Sequence, residues 1–273
     1  MLIGKPGFVR KGFAAWVAGA AVLLFLVTGQ LLFGQREDWE LEQLCEDLAA
    51  HRQPPATEFV FARIQFTSHA PGRGFWRRPT PCGPLEGWAH DYPAAEQNIL
   101  QLTREATRIN LSKDSYVMVR LDSDELFRYP WGLMSEVGEM TLTDREVANL
   151  RAYLDRGGFI VADDFDGPSL EWFQQQMNRV FPGRQFVPLT VDNPIFHTLY
   201  EVKTLEMEPP YPQRGFPRFY GYYDDHGRLS MILDDNNDLG DFWEWIDDVR
   251  YPLVPSAEGL RFGINYFLYS LTH

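Results

Sequence analysis

The chain has 273 residues, 45% hydrophobic and 15% aromatic, which is enough for one sizeable core and allows one or two domains. Its 38 acidic residues outnumber 25 basic ones, and every acid lies beyond Arg36. So acidic a surface argues against nucleic-acid binding and favours cations, basic partners or neutral polymers, although solubility alone would also account for it.

Lys5, Arg10 and Lys11 are followed by an apolar run from residue 14 that continues to Phe33. About 20 such residues cross a hydrocarbon core as a helix. The basic residues before the run and Glu37, Asp38 and Glu40 after it place the N-terminus in the cytoplasm. The expected organisation is a basic tail (1–12), a transmembrane signal anchor (13–33), a helical stalk (34–56) and an extracytoplasmic domain (57–273). A cleaved signal peptide, with Val27-Thr28-Gly29 at the cleavage site, is the competing reading. Either way the large domain is exported. There Cys45 and Cys82, the only cysteines, could join in one disulfide.

The stalk carries a helical stripe at Leu41, Leu44, Cys45 and Leu48, stopped by Pro54-Pro55. A strand is predicted over 59–66, then a long exposed loop over 67–90. A helix follows over 93–109, with Pro93 in its first turn, then a strand over 116–121. Strand, helix, strand reads as a parallel crossover. Thr143 and Glu146 form a capping box for the next helix, which ends at Gly157-Gly158 before a strand over 159–163. A helix from Pro168 and a strand over 185–189 come next. The segments 219–223 and 228–233 flank a turn at Gly227 and predict a hairpin. The last helix starts at Ser256 and is apolar nearly all round, so it is expected to be buried. The pattern is that of a three-layer α/β domain around a mostly parallel, flavodoxin-like open sheet, with an antiparallel hairpin added and an N-terminal transmembrane helix before it.

Acids collect where strands end. Asp122 and Asp124 follow one predicted strand, and Asp163 and Asp164 close another. Parallel central strands would bring these four acids to the carboxyl edge of the sheet, where open α/β sheets bind ligands. Converging carboxylates suit Mg²⁺ or Ca²⁺, while Asp122 and Asp164 could instead cap helices. Asp234, Asn236 and Asp238 have the odd spacing of a calcium loop, but Leu239 and Trp245 occupy the positions of its glycine and glutamate. A looser cation site or an Asn/Asp-rich turn remains there. No nucleophile elbow, zinc pair or phosphate loop is present. His90-Asp91 reads as a loop hydrogen bond or, as the sharper alternative, a base with its orienting acid. Aromatic residues such as Trp88, Tyr92, Trp131, Trp243 and Trp245 either hold sugar rings and cations or pack loops onto the sheet.

The segments 157–165, Trp88-Ala89-His90-Asp91-Tyr92-Pro93, Tyr129-Pro130, 236–241 and Gly263-Ile264-Asn265-Tyr266 resemble the bacterial domain of unknown function 4159, over most of residues 57–272. The resemblance implies an exported or membrane-anchored bacterial protein, here in the inner membrane with a single pass. It also implies a fold similar to class I glutamine amidotransferases without their catalytic cysteine, and it implies no activity. The expected function is a non-catalytic module binding an extracytoplasmic protein or polymer, with no cofactor and no nucleic acid. The alternative is a divalent-metal hydrolase using the clustered aspartates. The weakest reading is amidotransferase-like chemistry with Cys82 as the thiol.

Overall fold

Among the described residues seven strands make one mixed sheet: β1 (Phe61–Gln65), β2 (Tyr116–Arg120), β3 (Trp131–Ser135), β4 (Phe159–Phe165), β5 (Val187–Pro188), β6 (Arg218–Tyr223) and β7 (Leu229–Asp235). Among the described residues six helices accompany them: α1 (38–50), α2 (Ala94–Ala106), α3 (Asp144–Asp155), α4 (Pro168–Val180), α5 (Leu239–Glu244) and α6 (Leu253–Thr272). The structure is a computed structural model describing residues 38–68, 80, 82–83, 86–208, 216–248 and 251–273. The basic tail and the predicted span 13–33 lie outside the described residues. No helix among those described is long and apolar enough to cross a membrane.

The strand order is β2-β1-β3-β4-β7-β6-β5, parallel from β2 to β7 and antiparallel at β6 and β5. The predicted hairpin forms from β6 and β7. It is more than an addition, because β7 also pairs in parallel with β4 and stands inside the sheet. The strand expected over 185–189 is only the two-residue rim β5. Between β1 and β4 lies β3, a strand that the sequence pattern does not predict.

Local signals explain most elements. Thr143 Oγ1 accepts from the Glu146 amide while Glu146 bonds back to Thr143, capping α3 at both donors. Gly157 then ends the helix with φ +100°, a conformation open to glycine at no steric cost. The last helix begins at Leu253, with Pro252 before it, so Ser256 does not open it. The Ser256 hydroxyl instead donates to the Pro252 carbonyl.

The core is aromatic. Phe61 of β1 packs on Trp131 of β3 and, edge-on, on Trp243 of α5 and Phe267 of α6. Rings in such tilted pairs add about 0.5–1.5 kcal/mol beyond the area they bury. Trp88, Tyr92, Trp131, Trp243 and Trp245 are all buried, so they are packing residues and not platforms for a sugar.

β4 contains a bulge. Ala162 is opposite Leu233, but the next pair is Phe165 with Asp235, which leaves one extra residue on β4. The consequence is visible in the rings. Phe159 meets Tyr269 of α6, whereas Phe165, six residues on, meets Phe173 of α4 on the other face. A regular strand would keep the two on one side. The bulge at Asp163-Asp164 flips the alternation and re-aims both acids.

The compact unit runs from Leu44 to His273 and takes in residues expected to belong to a stalk. Leu44 is buried, Tyr92 donates from its hydroxyl to Asp47, and Cys45 is joined to Cys82 in a disulfide.

Candidate functional site at the carboxyl edge

The carboxyl ends of β3, β4 and β7 share one unusual device. Each presents a polar non-glycine residue in left-handed backbone: Glu136 (φ +55°), Asp164 (φ +56°) and Asn236 (φ +61°). Asp91 (φ +63°), in the turn before α2, joins them. Each such residue costs of order 1–3 kcal/mol, and strain of this kind collects at working sites.

His90 sits in the middle. Its Nδ1 is 2.5 Å from Asp164 Oδ2, and its Nε2 is 3.2 Å from Asp91 Oδ1. The side chain remains 20% exposed, against 1% for Asp91 and 8% for Asp164, so the imidazole is the more open face of a buried acid cluster. Two donor groups meet there: His90 with Asp91, Asp238 and Asp241, and His90 with Glu136 and Asp164.

The loop carrying His90 is braced from below. Arg63 of β1, wholly buried, pairs with Glu96 of α2 at 2.6 Å and donates from Nη1 to the His90 carbonyl at 2.8 Å. Asp238 caps α5 by accepting from the Asp241 amide, and Asp163 accepts from the Gly240 amide. Gly240 is required by close approach, since a Cβ there would collide with the Asp91 carboxylate. Gly240→Ala is therefore expected to cost about 1–3 kcal/mol in a urea melt by pushing Asp91 out of place.

The acids crowd one another. Burial, then Asp164, pushes Glu136 up to about 9. Burial, then Asp91, pushes Asp241 up to about 7. Asp238 and Asp163 lie well above the ordinary carboxylate range, through burial first and neighbouring acids second. Burial raises Asp234 to about 8, although Tyr266 donates to it at 3.0 Å. Burial alone would favour neutral His90, but Asp91 and Asp164 outweigh it and hold the imidazole protonated well above its usual range.

The four acids expected to converge do not. Asp163 and Asp164 belong to this cluster, but Asp122 follows β2, with β1 and β3 standing between β2 and β4. At about 4.8 Å per strand that is roughly 14 Å. Asp122 lines a separate hollow of about 280 Å³ with Gln65, Thr67, Trp88 and Arg120. There it is clasped by two guanidinium nitrogens of Arg120, Nε and Nη2. Asp124 is exposed in the following turn. Neither Asp122 nor Asp164 caps a helix, because Ser123 and Gly167 hold those positions. Asp234, Asn236 and Asp238 also separate. Asp234 is a buried residue of β7, Asn236 donates to the Phe216 carbonyl, and only Asp238 faces His90.

A family model described as a domain of unknown function (DUF4159) matches residues 83–271. The chain belongs to that family. The matched span includes every residue of the DUF4159 cluster, from His90 to Asp241, and leaves out β1 with its Arg63. No curated protein matches the chain significantly.

Proposed function

We propose that this DUF4159 protein is an exported, membrane-anchored α/β module that binds a positively charged ligand or partner at the carboxyl edge of β3, β4 and β7, and does not transform it. The carrying observation is His90, whose two ring nitrogens both face carboxylates, leaving neither to take a proton from a nucleophile. Both cysteines are consumed in one disulfide, which removes the thiol that amidotransferase chemistry needs. A disulfide also fits an oxidising compartment, in line with the anchor read from residues 13–33. The flavodoxin-like order β2-β1-β3-β4 supports the amidotransferase-like reading of the fold.

Two measurements test this. A reporter that folds only after export, fused behind His273, is expected to be active; an inactive fusion refutes the exported orientation. Full-length protein in detergent is expected to bind a lysine-rich peptide at least tenfold more tightly than Asp164→Asn/Glu136→Gln, and to turn over no ester, phosphoester, glycoside or amide probe. Turnover abolished by His90→Ala would replace the docking reading with the hydrolase.

A further inference from the structure

The cluster around His90 contains a set of donors arranged for an ion. One ring nitrogen of His90 and one carboxylate oxygen from each of Asp91, Asp238 and Asp241 all lie within 4.8 Å of one another. Four donors held about 2.0–2.2 Å from a tetrahedral centre stand about 3.3–3.6 Å apart, so a closure of no more than about 1.5 Å in the widest separation completes the shell.

Two of these carboxylates each carry an oxygen that makes no hydrogen bond. Asp91 Oδ1 and Asp238 Oδ2 are buried and have no hydrogen-bond partner, on residues only 5% and 0% exposed. Leaving such an oxygen unsatisfied is costly, so a structure that keeps two of them in one place calls for an occupant. Asp91 Oδ1 lies 3.2 Å from His90 Nε2 without hydrogen-bonding it. That separation is the edge between adjacent ligands of an ion with bonds near 2.1 Å, about 3.0–3.4 Å.

The far side of the ring supplies the rest of the arrangement. A metal-bound histidine almost always donates its other N–H to a carboxylate, which fixes the tautomer and the ring orientation. His90 Nδ1 stands 2.5 Å from Asp164 Oδ2, and Asp164 is itself held by left-handed backbone at the β4 bulge. The remaining carboxylates are fixed from the backbone as well. Asp238 is tied to the first turn of α5 through its other oxygen, Asp241 is within that turn, and Asp91 is seated over Gly240.

We propose that His90 Nε2, Asp91, Asp238 and Asp241 bind one divalent transition-metal ion, with Asp164 as the positioning residue that orients the imidazole. One imidazole with three carboxylates selects Zn²⁺ or Mn²⁺ over Mg²⁺ and Ca²⁺, whose sites are built from oxygen alone. The inference rests on the reading of this edge as a cation-binding face and names the cation.

The test uses full-length protein, stripped with a chelator and dialysed against Zn²⁺ or Mn²⁺ alone, with metal per chain from atomic emission and affinity from calorimetry. One ion per chain is expected. Asp238→Asn retains the acceptor that caps α5 and so keeps the fold, yet should weaken binding at least tenfold. Asp164→Asn should weaken it 10–100-fold at unchanged stoichiometry. Asp122→Asn, on the separate hollow, should bind as the native chain does. No ion at tens of micromolar metal, or equal affinity in Asp238→Asn, overturns the proposal. If the metal fails while the lysine-rich peptide still binds, only the metal inference falls; if both fail, the cationic-ligand reading falls with it.

Discussion

Glu96→Ala is expected to destabilise the domain by about 3–5 kcal/mol, the usual penalty for leaving one member of a buried ion pair uncompensated. Arg63 and Glu96 are both fully buried, 2.6 Å apart between the centre of β1 and the inner face of α2. The Glu96 carboxylate partly neutralises the guanidinium, so its loss leaves a wholly buried charge with only Asp91 to offset it in part. For a domain of this size the loss corresponds to a Tm lower by roughly 6–20 °C. The pair also has a second duty, because Arg63 donates to the His90 carbonyl and, at 3.4 Å, to that of Trp88. Replacing both residues by apolar ones of similar size (Arg63→Met with Glu96→Leu) should therefore recover most of the stability without recovering the loop. The expected signature is a double variant that melts close to the native protein but binds its cation more weakly. A cost under about 1 kcal/mol for Glu96→Ala, or full affinity in the double variant, would show that the pair braces nothing.

What could be read from the sequence was whatever is local. The Thr143–Glu146 box, the Gly157 stop and the Gly227 turn act over a few residues and each is where the pattern put it, and α6 is as buried as its apolar run predicts, although it begins at Leu253 and not at Ser256. β3 escaped because its buried Trp-Gly-Leu-Met-Ser run has no alternation and carries a glycine. Missing β3 misplaced the site. With β3 and β1 between them, Asp122–Asp124 and Asp163–Asp164 cannot meet, although both follow parallel strands. The role of His90 is hidden in the sequence for a related reason, since its partner Asp164 is 74 positions away and only the strand order brings them together. The signal that pointed there was the pair of motifs around Trp88–Pro93 and Asn236–Asp241, each unremarkable alone. Their acids share a site only because α2 and α5 pack against each other. The β4 bulge, which turns Asp163 and Asp164 inward, has no sequence signature beyond the doubled aspartate.

Without metal, the protein should be less stable at pH 7.5 than at pH 5.5, the reverse of an ordinary acidic domain whose carboxylates are paired. Glu136, Asp234 and Asp241 titrate near 9, 8 and 7 in the folded chain, against roughly 4 in the unfolded chain. Between those values the folded protein holds protons that the unfolded one has released, and stability then falls as pH rises. His90 acts in the same direction. Its folded value is raised, so its contribution is complete below about 6.5 and is lost as pH climbs through the folded value. The opposing groups are Asp122 and Asp224, held low by Arg120 and by backbone donors with Arg228, and they matter only near pH 4 and below. The groups facing the imidazole are Asp91, Asp164, Asp238, Asp241 and Glu136, and those facing Glu136 are Asp164, His90, Glu139 and Asp91; besides His90, the buried Arg63 offsets Asp91 in part. Glu136 and Asp241 reach solvent in part, which argues for counting only about one net proton. One proton over two pH units is worth about 2.7 kcal/mol, or a Tm drop of roughly 5–10 °C. Zn²⁺ or Mn²⁺ should erase most of that drop at pH 7.5 and do little at pH 5.5, where protons already neutralise the cluster. Thermal melts at the two pH values, with chelator and then with metal, measure both effects. A metal-free Tm that rises between pH 5.5 and 7.5 would mean that these carboxylates are ionised and paired in the folded protein, and that the crowding around His90 is not what sets its electrostatics.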